Sequence, residues 1–286
     1  MKSVVLDGRL LAGKIEKQLV KRVKMLNKNG VTPGMAVILL KNDQASEIFV
    51  KNKVNTAAKI GIRTIVEKLD KKDFLTKATE LIEKWNVDPS IHGVVIQLPK
   101  NNPKSLGEAV RSVMPVKDVD CLHPENIGLL SLSIPRFLPP TPAGIQKLLI
   151  ANKIKIEGKN VVIVGRGNLV GRPLALTLLQ KDKNSNATVT VCHRHTVDLA
   201  KHTKNADILV VAIGQPEFIT GKYIKKGGVV IDVGSHKIGD KWCGDIKHSE
   251  ADKIAGAISP VPGGIGPMTV IMLLQNVIIA AERKIA

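Results

Sequence analysis

Aromatic side chains are almost missing from this chain: four Phe, two Trp and one Tyr, 2% of 286 residues. A core built without them rests on Val, Ile, Leu and Ala, which suits buried parallel strands covered by helices. The same scarcity leaves little to stack on nucleic-acid bases. Cysteine is scarce as well. Cys121, Cys192 and Cys243 lie far apart and form no C-x-x-C. That favours a reducing compartment and no disulfide framework. No apolar run looks long enough to cross a bilayer. The longest, M-T-V-I-M-L-L-Q-N-V-I-I-A-A from Met268, carries Gln275 and Asn276 and reads as a helix packed on another part of the protein. The opening M-K-S-V-V-L-D-G-R-L becomes charged too soon for a signal peptide. These absences together lead to the expectation of a soluble, cytoplasmic protein. Acidic residues are the minority, 25 against 43 basic ones, giving a formal charge of +18. Such a chain attracts nucleic acid, membrane surfaces, or phosphorylated and carboxylated small molecules. The basic residues are scattered, which argues against a non-catalytic nucleic-acid-binding protein.

What is present is a globular balance, 44% hydrophobic and 24% charged. Helix-type spacing of Leu11, Ile15, Leu19 and Val23 opens the chain and stops near Asn29-Gly30. A-V-I-L-L from Ala36, R-T-I-V-E from Arg63 and G-V-V-I-Q-L-P over 93–99 read as strands. Between the first two lies a helix with Ser46 as its expected N-cap and Gly61 beyond its end. D-K-K-D-F-L-T-K-A-T-E-L-I-E-K-W-N is a second helix, with Leu75, Leu81 and Ile82 toward the core. Residues 114–142, dense in Pro and polar groups, read as a long loop region, and a helix from Pro142 to Asn152 follows. A new unit then starts, with strands at V-V-I-V, A-T-V-T-V, A-D-I-L-V-V-A-I-G and G-G-V-V-I-D-V-G. Strands this apolar, alternating with helices, predict an α/β protein with mostly parallel sheets. Residues 1 to about 145 and 146 to about 264 read as separate lobes.

Gly165, Gly167 and Gly171 follow a strand and open a helix. Glycines let backbone turn tightly and approach phosphate, and a helix N-terminus offers free N–H groups. The following strand runs into C-H-R-H without the carboxylate that commonly holds a ribose in NAD binders. Arg166 and Arg194 are placed instead to receive a 2′-phosphate, which predicts NADP. His193 and His195 alternate at a strand end with no third ligand, so no metal is expected.

Gln97, at the carboxyl end of a buried strand, either faces the crevice where open α/β sheets bind ligands or caps the strand by satisfying the following turn. Asp118 and Asp120 lie in the long loop, with Lys117 or other cations as expected partners. S-P-V-P-G-G-I-G-P-M-T over 259–269 is a rigid loop that can set backbone groups against a flat ligand or simply reverse the chain. On the helix after Ser46, Phe49 and Lys53 share a face, with Val50, Val54, Ala57 and Ala58 on the buried side. An amine partly withdrawn from water there can exchange protons near neutrality, or it can simply lay its stem along apolar surface.

F-V-K-N-K, V-I-Q-L-P, P-V-K-D-V-D-C-L-H-P-E-N-I-G, P-P-T-P-A-G, V-G-R-G-N-L-V-G-R-P, T-V-T-V-C-H-R and P-V-P-G-G-I-G-P-M-T appear in that order. Together they resemble the bifunctional methylenetetrahydrofolate dehydrogenase/cyclohydrolase family over nearly the whole chain. The resemblance implies two lobes, an N-terminal α/β catalytic lobe and a Rossmann-like NADP-binding lobe, with folate in a cleft between them. It also implies a homodimer, and a last helix, 265–286, that returns to pack on the first lobe. The family's proton-handling lysine falls on Lys53, its supporting glutamine on Gln97 and its folate-contacting aspartate on Asp120. NADP contacts fall on Gly165, Arg166, Gly167, Arg194 and Ser235, and the substrate loop on Pro262, Gly263 and Gly264. The implied reaction passes hydride from methylene-tetrahydrofolate to NADP, and water then opens the methenyl cation to formyl-tetrahydrofolate. Three positions depart from the family. Phe49 replaces the usual tyrosine, so the ring can stack on folate but has no hydroxyl to steer Lys53 or water. Cys121 replaces a glycine, adding a side chain near the substrate, and Gly167 replaces a serine. The first departure implies slowed hydrolysis and leaves a dehydrogenase with weak or absent cyclohydrolase activity as the alternative.

Overall fold

The computed structural model describes residues 3–97 and 103–283. In chain order the elements are β1 (Val4–Val5), α1 (Gly8–Lys28), β2 (Gly34–Leu40), α2 (Gln44–Ile60), β3 (Arg63–Leu69), α3 (Phe74–Val87), β4 (Gly93–Gln97), α4 (Pro103–Ser112), α5 (Pro124–Ser131) and α6 (Pro140–Ala151). The later part holds β5 (Asn160–Val164), α7 (Gly171–Leu178), β6 (Thr188–Cys192), α8 (Leu199–Thr203), β7 (Ile208–Val211), β8 (Val229–Asp232), β9 (His236–Ile238), β10 (Lys241–Cys243), α9 (His248–Ala251), β11 (Ala257–Ile258) and α10 (Ile265–Glu282). The chain divides into two compact units, residues 14–140 with 270–286, and residues 1–13 with 141–269. The first thirteen residues group with the later part because β1 pairs with β11, Val4 opposite Ala257.

In the unit of 14–140 the sheet order is β3-β2-β4, all parallel. Every residue of β2 is buried, as its uninterrupted apolar run requires. Ala36, Ile38, Phe74, Ala78, Ile82 and Trp85 share one core with Val94 and Ile96. Leu75 and Leu81 pack at its edge. Helix α10 belongs to this core from Val270 onward. Asn276 is buried there, and its Nδ2 donates to the carbonyls of Val119 and Leu138, 2.9 Å each. Arg22 holds Glu282 with two hydrogen bonds, at 2.9 and 2.7 Å. By length and composition α10 is long and apolar enough to cross a membrane, more than the sequence suggests, but over half of it is buried within the protein.

The other unit carries a parallel sheet in the order β1-β11-β8-β7-β5-β6 and a short β9-β10 hairpin. Successive residues of its central strands feed two separate cores. Val161, Ile163, Ile208, Val210 and Ile231 face one side with Leu148, Leu149 and Leu174. Val162, Val164, Leu209, Val211 and Val230 face the other with Ile219 and Ile246. A strand buried on both faces cannot alternate apolar with polar, which is why each reads as an unbroken hydrophobic run.

Two local expectations need correction. The cap of α2 is Asp43, not Ser46: its carboxylate accepts from the Ser46 amide at 3.4 Å and the Ser46 hydroxyl at 2.6 Å. Within 114–142 the chain forms α5, because Pro124 occupies a first-turn position that needs no N–H, and His123 accepts from the Glu125 amide. Gly61 ends α2 in the left-handed conformation, φ 92°, as its position predicted. Leu98 and Pro99, read as part of the strand ending near Gln97, lie outside the described residues.

Replacing Asn276 with Ala leaves the buried Val119 carbonyl and the half-buried Leu138 carbonyl without their donor. The Asn276→Ala variant is expected to lose about 1–3 kcal/mol of stability in urea unfolding, and an unchanged midpoint would contradict the role given to its amide.

Candidate active site

Helix α2 carries the first group of candidates. Val50 and Ala57 are buried, Val54 is half-buried, and Ala58 is exposed. Lys53 stands half-buried at the margin of that apolar stripe, while Lys51 and Asn52 face solvent. Its Nζ donates to Gln97 Oε1 at 2.9 Å. Gln97 is the last residue of β4, in register with Leu39 of β2, so a regular sheet fixes the acceptor. Phe49 lies one turn earlier, and 40% of it is exposed, leaving a ring face open to a flat ligand.

Asp120 adds a carboxyl to this pair. Burial raises its pKa, the nearby Lys53 amine opposes that rise, and Asp118 adds to it. The two acids of K-D-V-D differ in what they do. Asp118 is buried and accepts from the amides of Leu122 and His123, at 3.1 and 2.8 Å, and from Asn126 Nδ2 at 2.8 Å. Burial likewise raises its pKa. Lys117 Nζ donates to the carbonyls of Trp85 and Asp88, at 2.6 and 2.7 Å. Asp118 and Lys117 therefore build the loop that presents Asp120. Cys121, expected to add bulk beside a substrate, is instead 1% exposed, and its thiol donates to the Phe137 carbonyl at 3.0 Å. Its φ of 60° is the left-handed region, where glycine would sit without strain.

The second group lies in the unit of 141–269. Gly165 directly follows β5 with φ 119°, and its amide donates to Cys192 O at 2.9 Å. A side chain there would run into the Ala212 carbonyl, and one at Gly171 into the Gly165 carbonyl. Gly167 opens onto free space, so the turn leaves exposed backbone above the start of α7. Arg166, in that turn, and Arg194, two residues past β6, are both exposed. Partial burial, then the Arg166 and His195 charges, hold the pKa of His193 below its ordinary value, which places Arg166 beside the end of β6. Ser235 is half-buried, three residues past the end of β8. A tight glycine turn at a helix start with two flanking guanidinium groups fits a dinucleotide bearing an extra phosphate. Pro262, Gly263 and Gly264 form a turn closed by Gly264 N donating to Pro260 O at 2.8 Å. The Arg9 amide donates to Gly263 O at 2.8 Å, so the start of α1 braces this turn.

The structure thus brings Lys53, Gln97 and Asp120 together in one unit, and Gly165, Arg166, Gly167 and Arg194 together in the other. It also shows two groups that sequence reasoning missed, the buried carboxylates Asp232 and Asp245 behind Ser235. Their partners are up to 32 residues away, and only G-D at 244–245 hinted at them.

Known proteins match along the whole chain. Residues 6–120 match the catalytic-domain model of tetrahydrofolate dehydrogenase/cyclohydrolase, and residues 139–285 match its NAD(P)-binding-domain model. Bifunctional protein FolD of Dechloromonas aromatica is 45% identical over 289 residues, covering 99% of each chain. The bifunctional methylenetetrahydrofolate dehydrogenase/cyclohydrolase of Campylobacter jejuni superposes with a TM-score of 0.92 at 39% identity, covering 99% of each chain. The Trypanosoma brucei methylenetetrahydrofolate dehydrogenase-cyclohydrolase, solved with NADP and an inhibitor, gives 0.92 at 35% identity, covering 100% of this chain and 99% of that one. With both domain models matched in order over a doubly wound cofactor unit, this chain belongs to the tetrahydrofolate dehydrogenase/cyclohydrolase family.

Proposed function

We propose that Lys53, Gln97 and Asp120 handle the protons of an enzyme that oxidises methylene-tetrahydrofolate with NADP and hydrolyses the methenyl product to formyl-tetrahydrofolate. The observation that carries this reading is the 2.9 Å hydrogen bond from Lys53 Nζ to Gln97 Oε1, with the Asp120 carboxyl in its field.

NADP, when bound, supplies the hydride acceptor. Arg166, Arg194 and the backbone of Gly165 and Gly167 hold its phosphates, and Ser235 adds a hydroxyl contact. On the folate side, the exposed ring of Phe49 stacks on the pterin, and Asp120 accepts hydrogen bonds from its N–H groups. The turn Pro262–Gly264 gives the substrate a backbone contact. In hydrolysis, water adds to the methenyl carbon, one carbon–nitrogen bond breaks, one water proton moves to the released nitrogen, and the other leaves to solvent with the cation's charge. Lys53 carries the proton bound for the nitrogen. Gln97 takes one of the amine's three donor positions and thereby aims the remaining ones. Hydride transfer asks only for orientation of the two rings.

Two further readings concern assembly and location. Among the described residues the sheet ends at β6, which carries exposed Val191, and this open edge supports a homodimer built on it. Three free cysteines support a cytoplasmic enzyme.

Replacing Lys53 with Met is expected to lower methenyl-tetrahydrofolate hydrolysis about 10²–10⁴-fold while dehydrogenation survives. Equal loss of both, in a paired absorbance assay, would remove the lysine from its role. Phe49→Tyr restores a hydroxyl one turn from Lys53 and is expected to speed hydrolysis about 2- to 10-fold, the worth of one hydrogen bond. A variant no faster than the wild type refutes the assignment.

The third expectation concerns pH. Burial raises the pKa of Asp120, so the folded protein holds its proton to higher pH than the unfolded chain does. The stability this gives is fully present in acid and is lost as pH rises through the folded value. Asparagine does not ionise. Asp120→Asn should therefore gain stability relative to the wild type between about pH 4 and pH 8 while losing activity, with urea unfolding at both pH values as the measurement. A relative stability that falls over that range sinks the prediction.

A further inference from the structure

Behind Ser235 two carboxylates are packed where no water reaches. Asp232 ends β8 and is 1% exposed; Asp245, two residues past β10, is fully buried. Asp232 Oδ1 accepts from the amides of Gly234 and Asp245, both at 3.0 Å, and Oδ2 from the Ile246 amide at 3.1 Å. His248 Nε2 lies 3.3 Å from that same Oδ2. Asp245 faces the other way. Its Oδ2 accepts from the amides of Ile213 and Gly214, at 2.7 and 3.0 Å, and its Oδ1 is met by His236 Nε2 at 2.8 Å. Glycine is required on both sides of the pair. A Cβ at Gly234 would press on the Asp245 carboxylate, and one at Gly244 on that of Asp232.

The location gives the arrangement its meaning. Ile213 and Gly214 directly follow Ala212, whose carbonyl is the surface against which the Gly165 turn packs. His236 directly follows Ser235. One carboxylate therefore ties together the backbone after β7, on which the glycine turn rests, and the backbone after β8, which presents Ser235. With its imidazole partner removed, Oδ1 would be a buried acceptor with a lost donor, and the whole junction would relax.

We propose that Asp245 and His236 are positioning residues for NADP, holding residues 213–214 and 235–236 in the register that the cofactor site needs. The proposal rests on the assignment of the glycine turn, Arg194 and Ser235 to NADP. The two are separated by measuring NADP affinity calorimetrically, without folate, in three variants of the full chain. Arg194→Ala tests the assignment itself and is expected to weaken NADP binding. His236→Ala is expected to weaken it about tenfold, as loss of a buried hydrogen bond to a charged group does, with KM for methylene-tetrahydrofolate unchanged. His236→Gln, whose amide nitrogen can take the place of Nε2, is expected to restore affinity to within about threefold of wild type. Amide hydrogen exchange at Ile213 and Gly214 should quicken in His236→Ala and return to the wild-type rate in His236→Gln. If Arg194→Ala binds NADP normally, the site assignment fails. If Arg194→Ala weakens binding but His236→Ala keeps wild-type affinity well below its melting temperature, only the positioning role fails. Should His236→Ala not fold, His236→Gln decides the matter: wild-type affinity with wild-type exchange at 213–214 supports the role, and weakened affinity with unchanged exchange overturns it.

Discussion

A single hydrogen bond, Lys53 Nζ to Gln97 Oε1 at 2.9 Å, joins helix α2 to the carboxyl end of β4, and the proposed chemistry depends on it. A free lysine samples many rotamers and would lose most of its value as a proton carrier. Here the acceptor is fixed by a strand hydrogen-bonded along its length to β2, and the donor by a helix whose other face is buried. Asp120 completes the arrangement at an energetic cost, since burial works against its ionised form. The loop that keeps it there draws its strength from neighbours that do no chemistry. Asp118 gathers two amides and the Asn126 side chain, and Lys117 spans to carbonyls at the end of α3 and just beyond.

The cofactor unit follows another logic. There the backbone is placed by what cannot fit beside it. Gly165, Gly171, Gly234 and Gly244 each sit against a carbonyl or carboxylate that a side chain would displace. Close approach of main chain to main chain brings the ends of β5, β7 and β8 to one surface, where open parallel sheets bind nucleotides.

How much of this could be read beforehand depended on range. Strands β2, β5 and β7 announced themselves because burial on both faces gives each an apolar run, interrupted only at the first residue of β5, Asn160. Lys53 and Gln97 were found because each sits at a position with meaning in its own element, a stripe margin and a strand end, and because their surroundings resembled a known family. Strands β1 and β11 escaped because two residues apiece carry no periodicity. Helix α5 was hidden by the prolines around it, although Pro124 stands where proline is harmless. Asp43 was passed over as the cap because Ser46, three positions on, is as good a cap by type; only the direction of the hydrogen bond separates them. Asp232 and Asp245 were invisible because their partners are set by tertiary packing.

The three cysteines have a consequence for the chemical durability of the enzyme. Burial raises the pKa of Cys121, Cys192 and Cys243 alike, so each sulfur remains overwhelmingly in its neutral form at physiological pH. Electrophiles and peroxides attack the anion of sulfur, and that anion is what the fold suppresses. The substitution that put a sulfur next to Asp120 thus introduced packing volume without introducing a vulnerable nucleophile.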